Sequence, residues 1–359
     1  MSLRDEAADI AHDEAMTRAN LATMAARDDA ARWRSAANSA QDTIDDLTAT
    51  LARRDSLDAG QRKPPKWLAP KRPTKSHSAT ACFILSDPHF DEVINPAEVD
   101  DRNAYDRRIA EMRLRRWADK SIDVTMRHRT SLTFEGAMVM LGGDMLSGNL
   151  HDLAEFNEDT VIGSVLHWSP LVAAALGEMA EAFGKVHVPC VVGNHGRLTK
   201  KPRTKSRARD NLDWLLYHQV ARYFENDDRL TFDIPEGTDA WVQVHDVGHL
   251  LTHGDQVTGG SGIGGIWPPI MRLRARKAER MAVQDKRLDV LVMGHWHQLI
   301  CAPEAGLIVN GSSKGWDEYA AISNFRPERP QQAGWIVTPE HGVVDTFPVI
   351  VGDRVAEGW

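Results

Sequence analysis

Five short apolar runs in this chain are each followed at once by a residue that can hold a cation. "CFILS" leads to Asp87 and His89, "MVMLGG" to Asp144 and "PCVVG" to Asn194 and His195. "HLLT" leads to His253, and "VLVMG" to His295 and His297. A lone Asp-x-His is common in ordinary turns, whereas five successive strand ends of this kind point to one convergent site, because α/β sheets bind ligands at the carboxyl ends of their strands. The donors are carboxylate, amide oxygen and imidazole, with no thiolate, a set that suits Mn, Fe, Zn or Ni rather than a sulfur-seeking ion. Together Asp87, His89, Asp144, Asn194, His253, His295 and His297 outnumber what one ion needs and fit two ions sharing a bridging carboxylate. Two ions roughly 3.5–4 Å apart can hold the attacking and leaving oxygens of a phosphoryl group.

Taken in order, "SDPHF", "GGDML", "VGNHG", "LTHGD" and "MGHWH" resemble the motifs of the calcineurin-like binuclear metallophosphoesterases, over roughly residues 79–351. The resemblance implies an α/β fold, a four-layer α-β-β-α sandwich of two mixed sheets. It implies that Asp87, His89 and His297 hold one metal, that Asn194, His253 and His295 hold the other, and that Asp144 bridges them. The two divalent ions, Mn first with Fe, Zn, Ni or Mg as alternatives, would activate a hydroxide for in-line attack on phosphorus. His195 would be the catalytic general acid at the leaving oxygen rather than a ligand. Three departures from the family pattern stand out. Gly196 occupies a place where Glu or Asp is frequent, so any carboxylate that orients His195 must come from elsewhere. Phe90-Asp91 replaces a common glycine. Trp296 separates the last two histidines, where an indole can be core, pocket wall or a stacking surface for a base. The wording of the motifs is similar to phage and prophage phosphoesterases, some of them distantly similar to DNA-repair nucleases. No clear capping domain of the repair-nuclease kind is expected from the residues after the motifs.

The substrate is read from what adjoins the motifs. Six Lys or Arg lie between Lys200 and Arg209, directly after Gly-Asn-His. A loop leaving the site keeps its first residues near it, so Arg197, Lys200, Lys201 and Arg203 are assigned to substrate, and a string of cations fits a polyanion such as nucleic acid. The expected activity is a nuclease or phosphodiesterase on DNA or other nucleic acid, with a phosphatase or phosphodiesterase of small nucleotides or phosphoproteins as the alternative. A glycine-rich stretch at 259–265, a basic helix carrying Arg272, Arg274, Arg276, Lys277 and Arg280, and His151 are weaker candidates for the same neighbourhood.

The elements that must position these groups follow from pattern. Residues 1–57 are rich in Ala, Asp, Glu and Arg without Pro or Gly, which favours helix. Trp33, Ala37, Ala40, Ile44, Leu47 and Leu51 space like a short coiled-coil seam, which also fits homo-oligomerisation. Residues 58–78 are a proline-rich basic linker. Residues 79–352 alternate strand and helix: strands at "ATACFIL", "GAMVML" and "KVHVPCVV", helices over 105–127, 159–183 with a break near Pro170, and 210–224, then a strand-rich second half. Residues 353–359 read as a tail. With 43 basic and 51 acidic residues the net charge is −8, which argues against coating nucleic acid by bulk charge. Three scattered cysteines, Cys82, Cys190 and Cys301, fit buried thiols of a reducing compartment. No signal peptide or bilayer-length apolar run is read from the sequence. The expectation is a cytoplasmic protein that is not in the membrane.

Overall fold

The computed structural model describes residues 78–150, 155–257 and 265–359, and a scatter of residues between 16 and 48. The chain divides into two compact units, Met1–Ala59 and Gly60–Trp359. In the first, the described residues are helical and exposed. The seam residues Trp33 to Leu51 and the linker before Ser78 lie outside the described residues.

In the second unit, β1 (Ser78–Leu85) is buried along its whole length. It pairs in parallel with β2 (Thr133–Leu141), which is followed in parallel by β3 (Val186–Pro189) and β4 (Leu230–Asp233). On its other edge β1 pairs antiparallel with β10 (Gln331–Thr338), which carries β11 (Gly342–Ile350). A second sheet runs β5 (Asp239–Val244), β6 (Val247–Thr252), β7 (Val290–Met293), β9 (Leu307–Val309), β8 (Ile300–Ala302). In it β6, β7 and β9 are parallel and the two edges antiparallel. Both sheets are therefore mixed.

Side-chain alternation along β1 explains how they stack. Ala79, Ala81, Phe83 and Leu85 face a core completed by α1 (Arg107–Ile122), α2 (Val161–Phe183) and α3 (Leu212–Arg222). Cys82 and Ile84 face the opposite way, into a second core shared with Val242, Leu251, Val292 and Ile308 of the other sheet. A third core lies between Leu250, Leu291, Met293 and Val309 and Ile270, Leu273 and Met281 of α4 (Trp267–Ala282). Helices, sheet, sheet and helix thus bury three apolar layers, and continuous burial of β1, β3, β6 and β7 is what a strand covered on both faces requires.

Several expectations need correction. No break occurs at Pro170, since α2 runs through it. Pro170 is exposed and Leu166, whose carbonyl loses its partner, is 68% exposed, so water can serve that carbonyl. At 23 residues α2 is long and apolar enough to cross a bilayer by composition, contrary to the reading that no run comes near. Its Trp168, Val172, Leu176 and Met179 are instead buried in the first core. The segment 353–359, read as a tail, is partly helical. It forms α6 (Arg354–Glu357), and Glu357 is fully buried against Arg113, with Arg116 on its other oxygen. A buried pair of that kind has weak net value but is costly to break. β8 and a short helix α5 (Glu318–Ile322) were not anticipated.

Candidate metal centre

Every donor read from the sequence lies at the carboxyl end of a parallel strand, after β1, β2, β3, β6 or β7. The backbone there is unusual. Asp87, His89, Asp144, His295 and His297 all have positive φ, between 46° and 69°. A left-handed non-glycine residue costs roughly 1–2 kcal/mol, and such residues persist where the surrounding structure over-determines them, commonly at functional sites.

The structure brings the donor atoms together in overlapping groups: Asp87, His89 and His297; His89, Asp144 and His195; Asp144, His253 and His295. Within each, the ligand atoms lie within 4.8 Å of one another. The side chains of Asp87, His89, Asp144 and His253 are essentially inaccessible. His253 donates from Nδ1 to the Gly142 carbonyl at 2.9 Å, which turns Nε2 toward Asp144 Oδ2 at 3.0 Å. His89 turns Nδ1 toward Glu92 Oε2 at 3.4 Å, and its Nε2 meets His297 Nε2 at 3.2 Å. His297 Nε2 is also 3.4 Å from Asp87 Oδ1. Asn194 Oδ1 is buried without a hydrogen-bond partner among the described residues. Carboxylate, amide oxygen and imidazole groups packed this closely and this deeply need positive charge among them, and their chemistry fits a metal centre.

The electrostatics agree. Burial opposes ionisation of Asp144, but His253 and His195 outweigh it and hold its carboxyl well below the usual range. Burial likewise opposes charge on His253, and Asp144, Asp87 and Asp255 override it, pushing His253 up to about 10, so the carboxylates favour a positive charge, a proton or a metal ion, at His253 Nε2. Burial keeps His89 low and, with His253, brings His295 down to about 4, so these two imidazoles offer lone pairs rather than protons.

Supports for these groups came from parts of the sequence that carry no motif. Asp213 on α3 is fully buried, and its carboxylate accepts from the backbone N–H of Asp144, Met145 and Gly193 at 2.9, 3.2 and 2.9 Å. It therefore staples the second and third loops together. Burial and the charge of Asp144 push Asp213 up to about 7. Gly196 follows from the same packing: a Cβ there would sit 2.3 Å from Asn211 Oδ1 and 3.1 Å from Asp213. Gly196 thus makes room for Asn211 and Asp213, but Asp213 holds the loops rather than His195. Gly294 is likewise a matter of close approach, since its Cβ would meet Asp87 Oδ2 at 2.2 Å. Around Asp87, Ser86 Oγ donates to Oδ2 at 2.5 Å, Ser312 Oγ to the backbone carbonyl at 2.6 Å, and Asn310 Nδ2 to Ser86 Oγ at 2.8 Å. Phe90 stacks on Trp168 at 3.9 Å, and Asp91 accepts from Trp168 Nε1 and Arg107 Nε, which gives that departure a packing role.

His195 lies beside the cluster, its ring centroid 4.4 Å from that of His89. Nδ1 donates to the Ser147 carbonyl at 3.0 Å, so a main-chain oxygen rather than a carboxylate orients it. The basic run is more neutral than its sequence implies. Arg203 pairs with Asp210 at 3.4 Å, Arg207 with Asp255, and Arg209 with Glu236. Arg197 is partly buried and donates to the carbonyls of Thr199 and Asn194 at 3.1 Å. Lys200 and Lys201 are exposed. On α4, Lys277 and Arg280 pair with Asp239, and Arg274 binds the carbonyls of Gly306 and Asp289. His151 and most of the glycine-rich stretch lie outside the described residues.

The donors open into a cavity of about 550 Å³ whose lining includes His89, Asp144, Asn194, His195, His295 and His297. The rest of its lining comes largely from 312–329, a segment in which the sequence showed no site residue.

No protein-family model and no curated protein matches this chain. Among solved structures, the Thermus thermophilus sulfate thiohydrolase SoxB in complex with glycerol is similar at 10% identity and a TM-score of 0.29, over 78% of this chain and 57% of that one. The chain thus spans little more than half the length of that protein, and the reading below rests on the site's own geometry.

Proposed function

We propose that this chain is a metal-dependent phosphoesterase that acts as a nuclease or phosphodiesterase on nucleic acid. The observation that carries the proposal is the convergence of carboxylate and imidazole donor atoms, Asp144 Oδ2 with His253 Nε2 at 3.0 Å and His89 Nε2 with His297 Nε2 at 3.2 Å, beside an open cavity that His89, Asp144 and His297 line. Asp87, His89 and His297 would hold one divalent ion, Asn194, His253 and His295 the other, and Asp144 both. Such ions supply Lewis acidity at a phosphoryl group and lower the pKa of water. The chain's own residues do the rest. Asp213, Ser86 and Ser312 fix the donors in strained loops before substrate arrives, so no reorganisation is needed during reaction. With Nδ1 committed to Ser147, His195 keeps Nε2 for the substrate, where it holds or delivers a proton at the leaving oxygen. Arg197, Lys200, Lys201 and Arg203 do not line the cavity of the donors, and Arg197 and Arg203 line a separate small cleft that shares Asn194 with it, so they would meet phosphates of a polyanion beyond the one at the metals.

The pairing of Arg203, Arg207 and Arg209 with carboxylates favours a second reading, hydrolysis of small nucleotides or phosphoproteins, because fewer free cations remain to follow a polyanion. Incubation with Mn²⁺ and single- or double-stranded DNA separates the two. Cleavage by the wild type that is lost in Asp144→Asn, and weakened by charge reversal at Lys201, Arg203 and Arg207, supports the nuclease. Turnover of small phosphate esters alone, indifferent to those reversals, supports the second reading. Equal turnover by Asp144→Asn contradicts both.

A further inference from the structure

Four aromatic residues from two separate segments line the same cavity as the donors: Trp296 between His295 and His297, and Trp316, Tyr319 and Phe325 on the wall built by 312–329. Tyr319 and Phe325 are 71% and 49% exposed and stand edge to face with centroids 6.0 Å apart. Arg326 and Arg329 line the wall beside them. Single exposed aromatics are ordinary on a protein surface, but a cluster with guanidinium groups at the mouth of a polar site is not.

The wall is built to stay in place. Glu92, which faces His89, is bound by Lys314 Nζ at 2.8 Å, and the same ammonium binds Asp317 Oδ2 at 2.5 Å. Asp317 then caps α5 by accepting from Ala320 N at 2.7 Å. Burial opposes the charge on Lys314, and Asp317 and Glu92 outweigh it and raise its pKa. At the other end Glu328 accepts from Leu299 N and from Gln331 Nε2, both at 2.8 Å, which pins the 323–329 turn to the strand end that carries His297. Trp316 donates from Nε1 to the Phe325 carbonyl at 3.3 Å. A polar chain therefore runs from a candidate ligand to the aromatic wall.

We infer that this wall is a nucleobase-stacking subsite, so that the substrate presents an unpaired base beside the phosphoester held at the donors. The inference rests on the phosphoesterase reading and adds the chemistry of the group next to the phosphate. Flat aromatic faces with guanidinium groups suit a planar π system, and every base offers one regardless of identity. A base that stacks here cannot at the same time pair in a duplex, which selects single strands, frayed ends or nucleotides.

The test uses the Mn²⁺-loaded full chain and two probes that differ only by the base, AMP and ribose 5-phosphate, with binding read from tryptophan fluorescence and calorimetry. AMP is expected to bind about tenfold or more tightly, in keeping with the usual strength of base stacking. Tyr319→Ala and Phe325→Ala should bring AMP to the affinity of ribose 5-phosphate, while Tyr319→Phe and Phe325→Tyr keep the preference. Equal affinity of the two probes for the wild type, or a preference that survives both alanine variants, overturns the subsite. A preference that is retained in a protein that hydrolyses no phosphoester supports the subsite and removes the phosphoesterase reading, so the two fail separately.

Discussion

At the residue scale, half-buried His195 and fully buried Asp213 do different work and are separable by experiment. His195 is held by a carbonyl and adjoins the donors without being needed to complete the two three-residue sets around Asp87 and His253. His195→Ala should lower kcat by roughly 10²–10⁴-fold, the usual worth of a general acid, while bound metal stays at the wild-type level. Loss of metal together with activity would make it a ligand instead. Asp213 touches no candidate ligand side chain by hydrogen bond, only the N–H groups of Asp144, Met145 and Gly193. Asp213→Ala leaves three buried donors without their acceptor, at a cost of about 1–3 kcal/mol each where water cannot reach. It should therefore lower both the unfolding midpoint and metal affinity, and normal metal affinity in a normally stable variant would contradict the stapling role. Asp213 was not legible in the sequence, because one Asp in an amphipathic helix has no distinguishing neighbour. Gly196 was legible only as an anomaly, and its reason needed the position of Asn211 and Asp213.

At the element scale, the strand ends were legible because a short apolar run followed by a donor has a one-dimensional signature. Asp87, Asp144, Asn194, His253 and His295 all fall where that signature put them. The wall of 312–329 has no such signature, since its residues come from a loop, a five-residue helix and a turn joined by Lys314 and Glu328. The basic run shows the converse limit. Its charges were visible, but the carboxylates that neutralise Arg207 and Arg209 come from other loops, at Asp255 and Glu236. Pro170 shows why a breaker need not break. Packing of α2 over the first core outweighs one missing hydrogen bond on the solvent side. Pro170→Ala should restore that bond and raise stability by about 2 kcal/mol, given a cost of roughly 3 kcal/mol for an interior proline less the entropy that proline removes from the unfolded chain. An unchanged or lower unfolding midpoint would show that the proline fits α2 without penalty.

For the whole molecule, buried histidines outside the centre set an acid limit. Burial holds His187 and His249 down to about 4, against an ordinary value near 6.5. His187 is tied to Thr231 and His249 to Trp335. Their folded pKa values lie below the unfolded ones, so the unfolded chain binds more protons between these limits. Stability should then be flat with respect to these groups above pH 6.5 and fall as pH drops from 6.5 toward 4. Denaturant titrations at pH 7, 5.5 and 4.5 check this, and His249→Gln should flatten the slope. A slope unaffected by His249→Gln would place the acid response elsewhere. Above all, the three apolar layers serve to bring five strand ends to one point, and what that point binds decides the account. The most direct measurement is the metal content of the Mn²⁺-reconstituted chain, read beside phosphodiester hydrolysis, for wild type and Asp144→Asn. The account predicts about two ions per chain in the wild type, as a shared carboxylate implies, and loss of both metal and hydrolysis in Asp144→Asn. A wild type that binds no metal, or hydrolysis that survives Asp144→Asn, would contradict it.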